Sequence, residues 1–236
     1  MNNNYNSTLI SYEQPLNERM RMFLRYEQLT YRFQYFSKRE DSLDTHTALM
    51  TLMEILSLVS RGDIKQELLK EIKRQIDTLE SLQNLPKLNK IKLTKILAKH
   101  KSIFDHLHTF HGQLGSHLKS NDFISGIRQR AVISGGTCDF DLPEYHHWLT
   151  QEFTLRNKML VEWIAPFEIV QDGVIHTLQL IRESMPYADK SAQKGFYDQN
   201  LEPNQPNQLI RIGVTKEDKF FPECSAGKHR FSIRFL

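Results

Sequence analysis

The chain has 236 residues, of which 39% are hydrophobic and 25% charged, with a formal net charge of +3. This composition is ordinary for a globular protein with a core, and it excludes a disordered tail, a collagen-like repeat and a small disulfide scaffold. No apolar run approaches the ~20 residues that a membrane helix needs. The start, MNNNYNSTLISYEQP, lacks the basic and apolar regions of a secretory signal, so we expect a cytoplasmic protein.

The cysteine count agrees with a reducing compartment. Cys138 and Cys224 are the two cysteines of the sequence, and a disulfide-stabilised protein of this size would carry more. We therefore expect reduced thiols.

Basic charge is concentrated at the two ends of the chain. Residues 1–102 carry a net +5 and residues 204–236 a net +3, whereas residues 139–203 carry −6. If the fold brings the two ends together, they form one positive surface. The alternative is a mixture of charges scattered over solvated helix faces.

Hydrophobic spacing predicts helices through the first half. Apolar residues recur at three- and four-residue steps from Glu13 to Phe33, after a polar start of ten residues. Ser42 or Asp44 is expected to cap a second helix that ends at Arg61-Gly62, where glycine would supply a left-handed turn.

A third helix is predicted to start at Asp63 and to be broken by Pro86. The segment 85–102 has six lysines, no acid and leucines and isoleucines at helical spacing, so helices are expected to about residue 110.

The pattern then changes to strands and turns. Five glycines follow Phe110 within 25 residues, Ala131–Ile133 is typical of a short strand, and residues 138–142 alternate apolar and acidic side chains. Pro143 is expected to open a helical stretch from Glu144 to about Met185.

The C-terminal part is predicted to contain strands. Residues 209–214 and 230–235 alternate apolar and polar side chains, and the turn from Phe221 to Lys228 suggests antiparallel pairing of the two runs. The alternation continues to Leu236, so a further tail is expected beyond this residue.

The fold class expected is α+β, a mainly helical domain plus a smaller antiparallel β domain, interleaved in sequence. The helical domain would comprise residues 1–115 and 144–186. The β domain would comprise residues 116–143 and 187–236.

Motifs for cofactor chemistry are absent from the sequence, which has no P-loop, no dinucleotide-binding turn, no HExxH and no EF-hand loop. Four histidines lie at 106, 108, 111 and 117, but their spacing does not put them on one helical face and no carboxylates accompany them. We expect no metal, no cofactor and no catalytic residue.

Two alternatives remain open at this stage. Cys138, with His146 or His147 as base and the preceding glycine turn as a source of N–H groups, has the ingredients of a cysteine hydrolase, or Cys138 is a core residue of a hairpin. The lysine-rich helix at 87–101 could bind nucleic acid through phosphates, although no motif that reads bases accompanies it.

Five blocks in collinear order span nearly the whole chain. They are EQPLNERMRMFLRYEQL (13–29), SRGDIKQELLKEIKRQ (60–75), RQRAVISGGTCDFDLPEYHHWL (128–149), IRESMPYADKSAQKGFY (181–197) and GKHRFSIRF (227–235). Together these blocks resemble the ZapD family of Z-ring-associated bacterial cell division proteins. The likeness is weakest at about 33–52 and 80–125.

The resemblance implies a function that composition and periodicity do not supply. It implies a cytoplasmic, non-enzymatic homodimer that is recruited to the division site at mid-cell. There it would bind the flexible C-terminal tail of the tubulin-like protein FtsZ and crosslink FtsZ filaments into bundles. The helical domain would dimerise and a basic surface would hold the tail, with no cofactor, no nucleic acid and no membrane insertion.

The resemblance also identifies candidate residues for the tail-binding surface, by their match to the family's motifs. They are Arg25, Arg61, His146, Arg230 and Arg234. The chain departs from the expected pattern at Asp122, where a basic residue is expected, and Lys119 is the nearest substitute.

Overall fold

The computed structural model describes residues 9–83, 89–202, 205–227 and 229–236. It divides into two compact units. Unit 1 contains Leu178–Leu236 together with the chain up to Leu24, and unit 2 contains Arg25–Thr177. The expected class, mainly helical with a smaller antiparallel β part and interleaved in sequence, is confirmed.

Helices dominate the chain between the first and second strands. Their bounds are α1 Glu18–Ser37, α2 Ser42–Arg61, α3 Ile64–Ser81, α4 Lys90–Thr109, α5 Ser116–Lys119, α6 Asp122–Arg130, α7 Pro143–Leu149, α8 Phe153–Ile164 and α9 Glu168–Ser184. A 3-10 turn at Ala165–Phe167 joins α8 to α9. The helices predicted up to residue 110 and from Pro143 onward are confirmed, and Pro86 lies outside the described residues.

The ends of the early helices differ in detail from the expectation. Asp41, not Ser42 or Asp44, caps α2 by accepting a hydrogen bond from the N–H of Leu43. Gly62 ends α2 in an extended conformation with φ −135°, so the left-handed turn expected there is wrong. Asp63 caps α3 as predicted, accepting a 3.0 Å hydrogen bond from the N–H of Gln66.

The core of unit 2 combines apolar helix faces with a few buried polar anchors. Tyr26 is fully buried, and its hydroxyl donates a 3.0 Å hydrogen bond to the carbonyl of Phe167. Arg156 is 5% exposed and donates to the carbonyls of Gln151 and Glu40 and to the Thr45 hydroxyl. These bonds attach the start of α8 to the turn between α1 and α2, because one planar guanidinium serves three acceptors.

A buried polar network joins α3 to α4 within the same unit. Glu71 is completely buried and accepts bonds from both Nε (3.1 Å) and an NH2 group (2.6 Å) of Arg74. The Gln75 amide donates to Glu71 and to the carbonyl of Thr177, and its oxygen lies 2.8 Å from Nε2 of His100. A buried carboxylate is tolerated because a guanidinium and an amide satisfy it.

Two strands expected in the glycine-rich region do not form. Residues 131–142 make consecutive turns between α6 and α7, in which Val132 is 86% and Phe140 80% exposed. The alternating sequence pattern was a wrong guide because a strand forms only when it pairs with another strand. The backbone hydrogen bonds here are instead local: the N–H of Ile133, for example, donates to the carbonyl of Arg130 at 2.9 Å. Residues 116–143 therefore contain α5, α6 and turns and lie in unit 2 rather than with the strands.

Unit 1 holds two antiparallel sheets. One pairs β1 Leu9–Pro15 with β3 Leu209–Thr215, and the other has the order β2-β5-β4, with β2 Phe196–Asn200, β4 Pro222–Ala226 and β5 Arg230–Phe235. The strands predicted at 209–214 and 230–235 are confirmed. Their pairing with each other is wrong, since they lie in different sheets. The helix expected from Glu13 is also wrong at its start, because Glu13 belongs to β1.

The two sheets share one small core, built from alternate residues of the strands. Ile212 and Val214 of β3 and Phe231 and Ile233 of β5 are all buried there, with Tyr12, Tyr197 and Cys224 partly buried against them. Side chains alternate along a strand, so the intervening residues of β5 must point to the opposite face of their sheet.

The other face of the β1–β3 sheet carries an ion-pair cluster. Glu13 lies directly across from Arg211 and accepts a second arginine, Arg182, at 2.7 and 2.8 Å. Arg211 also lies over the ring of Tyr187, with its guanidinium carbon 4.6 Å from the ring centre. Arg182 and Arg211 are therefore already engaged by contacts within unit 1.

Candidate functional site

Arg25 of α1 and Arg61 of α2 stand at equal sequence distances from one bridge between the two helices. The bridge is formed by Arg32 of α1, whose Nε donates a 3.1 Å hydrogen bond to Thr51 of α2 and whose NH2 group pairs with Glu54. Arg25 comes seven residues before Arg32, and Arg61 seven residues after Glu54. Seven residues are about two helical turns, or about 10 Å. Arg25 therefore lies on the same face of α1 as Arg32, and Arg61 lies on the same face of α2 as Glu54.

Both arginines are cations at the surface of unit 2. Both side chains are exposed, and among the described residues neither has a carboxylate within ion-pair distance. Arg32, seven residues after Arg25, is instead neutralised by Glu54. An exposed arginine without an acid partner attracts anions, because no internal charge compensates it.

His146 lies away from Arg61. It is exposed on α7, next to Tyr145, whose hydroxyl is 2.7 Å from Nδ1 of His46 near the start of α2. Since Arg61 follows His46 by 15 residues, the two positions are about 22 Å apart along α2. The contact of Tyr145 with His46 thus places His146 near the start of α2, whereas Arg61 ends that helix.

Arg230 and Arg234 lie on the outer face of the three-stranded sheet of unit 1. They alternate with the buried Phe231 and Ile233 on the central strand, and both are exposed. Arg234 has Phe196 of β2 on one side and Glu223 of β4 on the other, and Arg230 lies across from Asn200. Neither guanidinium forms an ion pair in the part of the chain that is described.

The neighbours on this face were not anticipated from the sequence. Phe196 is 44% exposed on β2, and Phe221, immediately before the start of β4, is 52% exposed. Residues 196–200 contribute one partly buried side chain, Tyr197, so their apolar alternation is too weak to predict a strand. An outer face with two arginines and two exposed rings can hold both charged and apolar groups.

A shallow cavity of about 270 Å³ lies next to Arg61. It is lined by Val59–Lys65 and Gly112–Leu114. The Lys65 ammonium is already engaged, since it donates a 2.6 Å hydrogen bond to the carbonyl of Phe110. Arg61 is therefore the cation at this cavity that remains available to a partner.

Asp122 has a local role in the fold. It is exposed in the first turn of α6, which Asn121 caps by accepting a 3.0 Å hydrogen bond from the N–H of Ile124. A carboxylate at this position is favoured by the helix dipole, which accounts for an acid there. Lys119, the expected substitute for a basic residue, is half-buried at the end of α5.

The residues of the two alternative functions occupy unremarkable positions. Cys138 is exposed in the turn region rather than buried in a hairpin, and no hydrogen bond within the described chain joins it to His146 or His147. On α4, Lys101 pairs with Glu80 at 2.6 Å and Lys99 lies 3.8 Å from Asp172. The lysine-rich helix is thus partly neutralised, and its residue 87 lies outside the described residues.

The described parts of the chain hold neither a cluster of metal ligands nor a membrane-spanning helix. No three acidic, histidine or cysteine side chains converge there as metal ligands. His117, one of the four clustered histidines, instead has its Nε2 3.0 Å from the carbonyl of Trp163. No described helix has the length and apolar character to cross a bilayer.

These features define a class: a mainly helical α+β protein whose candidate functional groups are exposed cations on outer surfaces. Comparison with known proteins gives the family. A model of the ZapD family, described as a cell division protein, matches residues 24–234. The chain belongs to the ZapD family of cell division proteins.

Relatives in three bacteria agree over almost the full length. The cell division protein ZapD of Methylococcus capsulatus is 37% identical over 227 residues, covering 96% of this chain and 89% of the relative. Those of Nitrosomonas europaea and Azoarcus sp. are each 36% identical over 97% of this chain, covering 87% and 90% of the relatives. The resemblance inferred from the five sequence blocks is confirmed.

Proposed function

We propose that this protein is a non-enzymatic crosslinker of FtsZ filaments in the cytoplasm, recruited to the division site at mid-cell. As a dimer it would bind the C-terminal tails of two filaments and hold them together as bundles that stabilise the Z-ring. The observation that carries the proposal is that four candidate arginines are exposed without a carboxylate partner among the described residues, in a member of a cell division family.

The two arginine pairs suit a flexible acidic tail. A guanidinium offers a planar fork of donors to a carboxylate and stacks on apolar groups, so Arg25, Arg61, Arg230 and Arg234 can each hold an acidic side chain. His146 adds a further exposed contact on α7. The tail, disordered when free, would lose conformational entropy on binding, which keeps the affinity of one site modest.

Stable crosslinking through weak binding sites requires at least two such sites on the crosslinker. An exposed ion pair contributes about 0–1 kcal/mol, so one tail on one site dissociates readily. A two-fold dimer, formed through the helical part of the chain, would present two sites to a polymer that carries many tails. The second attachment is then intramolecular, and avidity supplies the stability of the bundle without any new contact.

Charge reversal on the central strand tests the proposal. Arg234→Glu or Arg230→Glu should weaken co-sedimentation with FtsZ filaments about tenfold or more, because one attraction of about 1 kcal/mol becomes a repulsion. Circular dichroism should stay native, since both side chains point away from the core.

The matched control is Lys216→Glu, which reverses one exposed charge just after β3 in the same unit. It should leave co-sedimentation unchanged. Equal loss in the control and in Arg234→Glu would mean that net charge, and not these arginines, governs binding, and unchanged binding in all three variants would refute the proposed site.

One mixing experiment separates the rival functions. The crosslinker should raise light scattering when added to polymerised FtsZ. A nucleic-acid-binding protein would instead be retained on heparin with a steep salt dependence and co-purify with absorbance at 260 nm. A cysteine hydrolase would show rapid labelling of Cys138 by an electrophile.

A further inference from the structure

Strand β2 has one edge whose backbone groups face away from its sheet. The N–H of Phe235 donates to the carbonyl of Gly195, and the N–H of Leu201 donates to the carbonyl of His229, both at 2.8 Å. Backbone direction alternates along an antiparallel strand, so Gly195, Tyr197, Gln199 and Leu201 are directed toward β5. Phe196, Asp198 and Asn200 consequently direct their N–H and C=O groups to the other side.

The chain itself pairs with this edge at Phe196, through a bridge to Gln193, and the pairing does not extend to Asp198 or Asn200 in the described residues. Lys194 (φ 51°) and Gly195 (φ 76°) form a tight turn in which the N–H of Phe196 donates to the carbonyl of Gln193 at 3.0 Å. Positive φ at both central residues is the signature of a two-residue hairpin turn. The chain before Gln193 then diverges, and over the described residues no backbone hydrogen bond is made on this side by Asp198 or Asn200.

The opposite edge of the sheet is less accessible. Strand β4 lies against β1 of the other sheet, whereas four of the five residues of β2 are exposed. Proteins usually protect an exposed edge with charged side chains, above all lysine, or with proline or a bulge; residues 196–200 contain no lysine, proline or bulge, and Asp198 is their one charged residue. An open edge without such protection is suited to the addition of a strand from a partner.

The charges on the outer face next to this edge form a fixed pattern. Arg234 lies across from Phe196, Arg230 lies across from Asn200, and Asp198 lies between them, across from Ser232. These side chains share the outer face because directly opposed residues of an antiparallel pair point the same way. The outer face beside the edge therefore carries Asp198 on β2, flanked two residues to either side by the arginines of β5, and Glu223 of β4 lies on the far side of Arg234.

We propose that an extended acidic peptide binds by adding a strand to the free edge of β2, with two carboxylates four residues apart and a basic or neutral residue midway. The carboxylates would meet Arg234 and Arg230, and the middle residue would face Asp198. This inference rests on the proposed function and deepens it, because it gives the conformation and the charge pattern of the bound segment.

The reach of the side chains fits this arrangement. Neighbouring strands are about 4.8 Å apart, so a guest strand beside β2 lies about 9.6 Å from β5. That separation is spanned by an extended arginine and an extended glutamate that meet above β2. Backbone bonds at Asp198 and Asn200 would supply affinity, while the arginines would select the register.

The test is amide hydrogen exchange by NMR on the full chain. The probe is a synthetic β-prone peptide with two glutamates four residues apart and lysine midway. On binding, exchange at the Asp198 and Asn200 amides should slow at least about tenfold, because both gain a hydrogen bond. The amides of Tyr197 and Gln199, which already face β5, should not change.

The matched control peptide has the second glutamate moved by one position, which places the two carboxylates on opposite faces of a strand. It should bind about fivefold more weakly, the loss expected for one or two exposed ion pairs. A second control peptide carries N-methyl groups on the amides that would face β2, and it should not bind.

Several results would overturn the inference. Binding that needs Arg234 but leaves exchange at Asp198 and Asn200 unchanged would mean side-chain docking without strand addition; the filament assay would then still support the proposed function. Absence of binding by any of these peptides would also overturn it. Protection in the free protein that disappears on dilution, or on removal of residues 2–8, would identify a second copy or the protein's own N-terminus as the occupant.

Discussion

Individual arginines in this protein differ in whether a carboxylate already holds them. Arg182 and Arg211 share Glu13, Arg32 pairs with Glu54, and Arg74 pairs with the buried Glu71. Replacing one of these would cost stability, since a carboxylate would lose its partner. Arg25, Arg61, Arg230 and Arg234 carry no such role in the described structure, so reversing them separates binding from folding.

One buried and two half-buried histidines make the stability of unit 2 depend on pH. Burial lowers the pKa of His46, whose Nδ1 is 2.7 Å from the Tyr145 hydroxyl, and burial likewise lowers the pKa of His100 and of His176. The folded state therefore resists protonation. Stability is fully present above the unfolded pKa of 6.5 and is lost as the pH falls below it, because the unfolded chain then binds more protons.

We expect the urea midpoint to fall between about pH 7 and about pH 5, and His46→Asn, which keeps a polar partner for Tyr145, to make the fall shallower. Unfolding curves at a series of pH values measure this. The control His146→Asn changes an exposed neighbour and should keep the wild-type dependence. A pH dependence that His46→Asn leaves unaltered would assign the effect to other groups.

Short elements, and not only long helices, position the surfaces described above. Helix α5 has four residues and begins after Gly115, whose φ of 76° lies in the left-handed region. A Cβ there would collide with Leu56 of α2 and lie 3.2 Å from the ring of Phe167. Glycine is required for both the backbone conformation and the close approach.

Two glycine-to-alanine substitutions should therefore change the free energy of unfolding in opposite directions. Gly115→Ala should lower the free energy of unfolding by about 2–4 kcal/mol, from backbone strain and overpacking together. Gly126→Ala, inside α6 with nothing within 4 Å of the added Cβ, should raise it by about 0.5–1 kcal/mol through helix propensity. Denaturant unfolding measures both, and equal effects would contradict the packing described at Gly115.

For the molecule as a whole, the proposed crosslinking function depends on many weak contacts acting together. Exposed ion pairs are screened over about 8 Å at physiological ionic strength, so the attraction between cationic surfaces and acidic tails is short-ranged. A bundle held by avidity loses stability steeply when each contact weakens a little, because every attachment depends on the same interaction.

Bundling of FtsZ filaments should consequently fall sharply between about 0.05 M and about 0.5 M salt. Light scattering at constant protein concentration measures this, with filament assembly alone followed at each salt concentration as the control. Bundling that does not depend on salt would indicate an apolar groove as the main contact instead of the arginines.

The amino-acid sequence alone was enough to predict the helices up to residue 110 and from Pro143 onward, the strands at 209–214 and 230–235, and the family. Helical periodicity is local information, as in Asp63 capping α3, and five collinear blocks suffice to define the family. It also indicated which arginines to consider, although their role as binding residues stays a prediction.

Only the tertiary structure decided which residues become neighbours. Alternation in residues 138–142 predicted a strand that does not form, while β1, β2 and β4 form with little signal, because a strand depends on a partner distant in the chain. The bridge from Arg32 to Thr51 joins two separate helices, and the free edge of β2 follows from the order of strands in its sheet. Both are products of long-range packing, which local patterns do not encode.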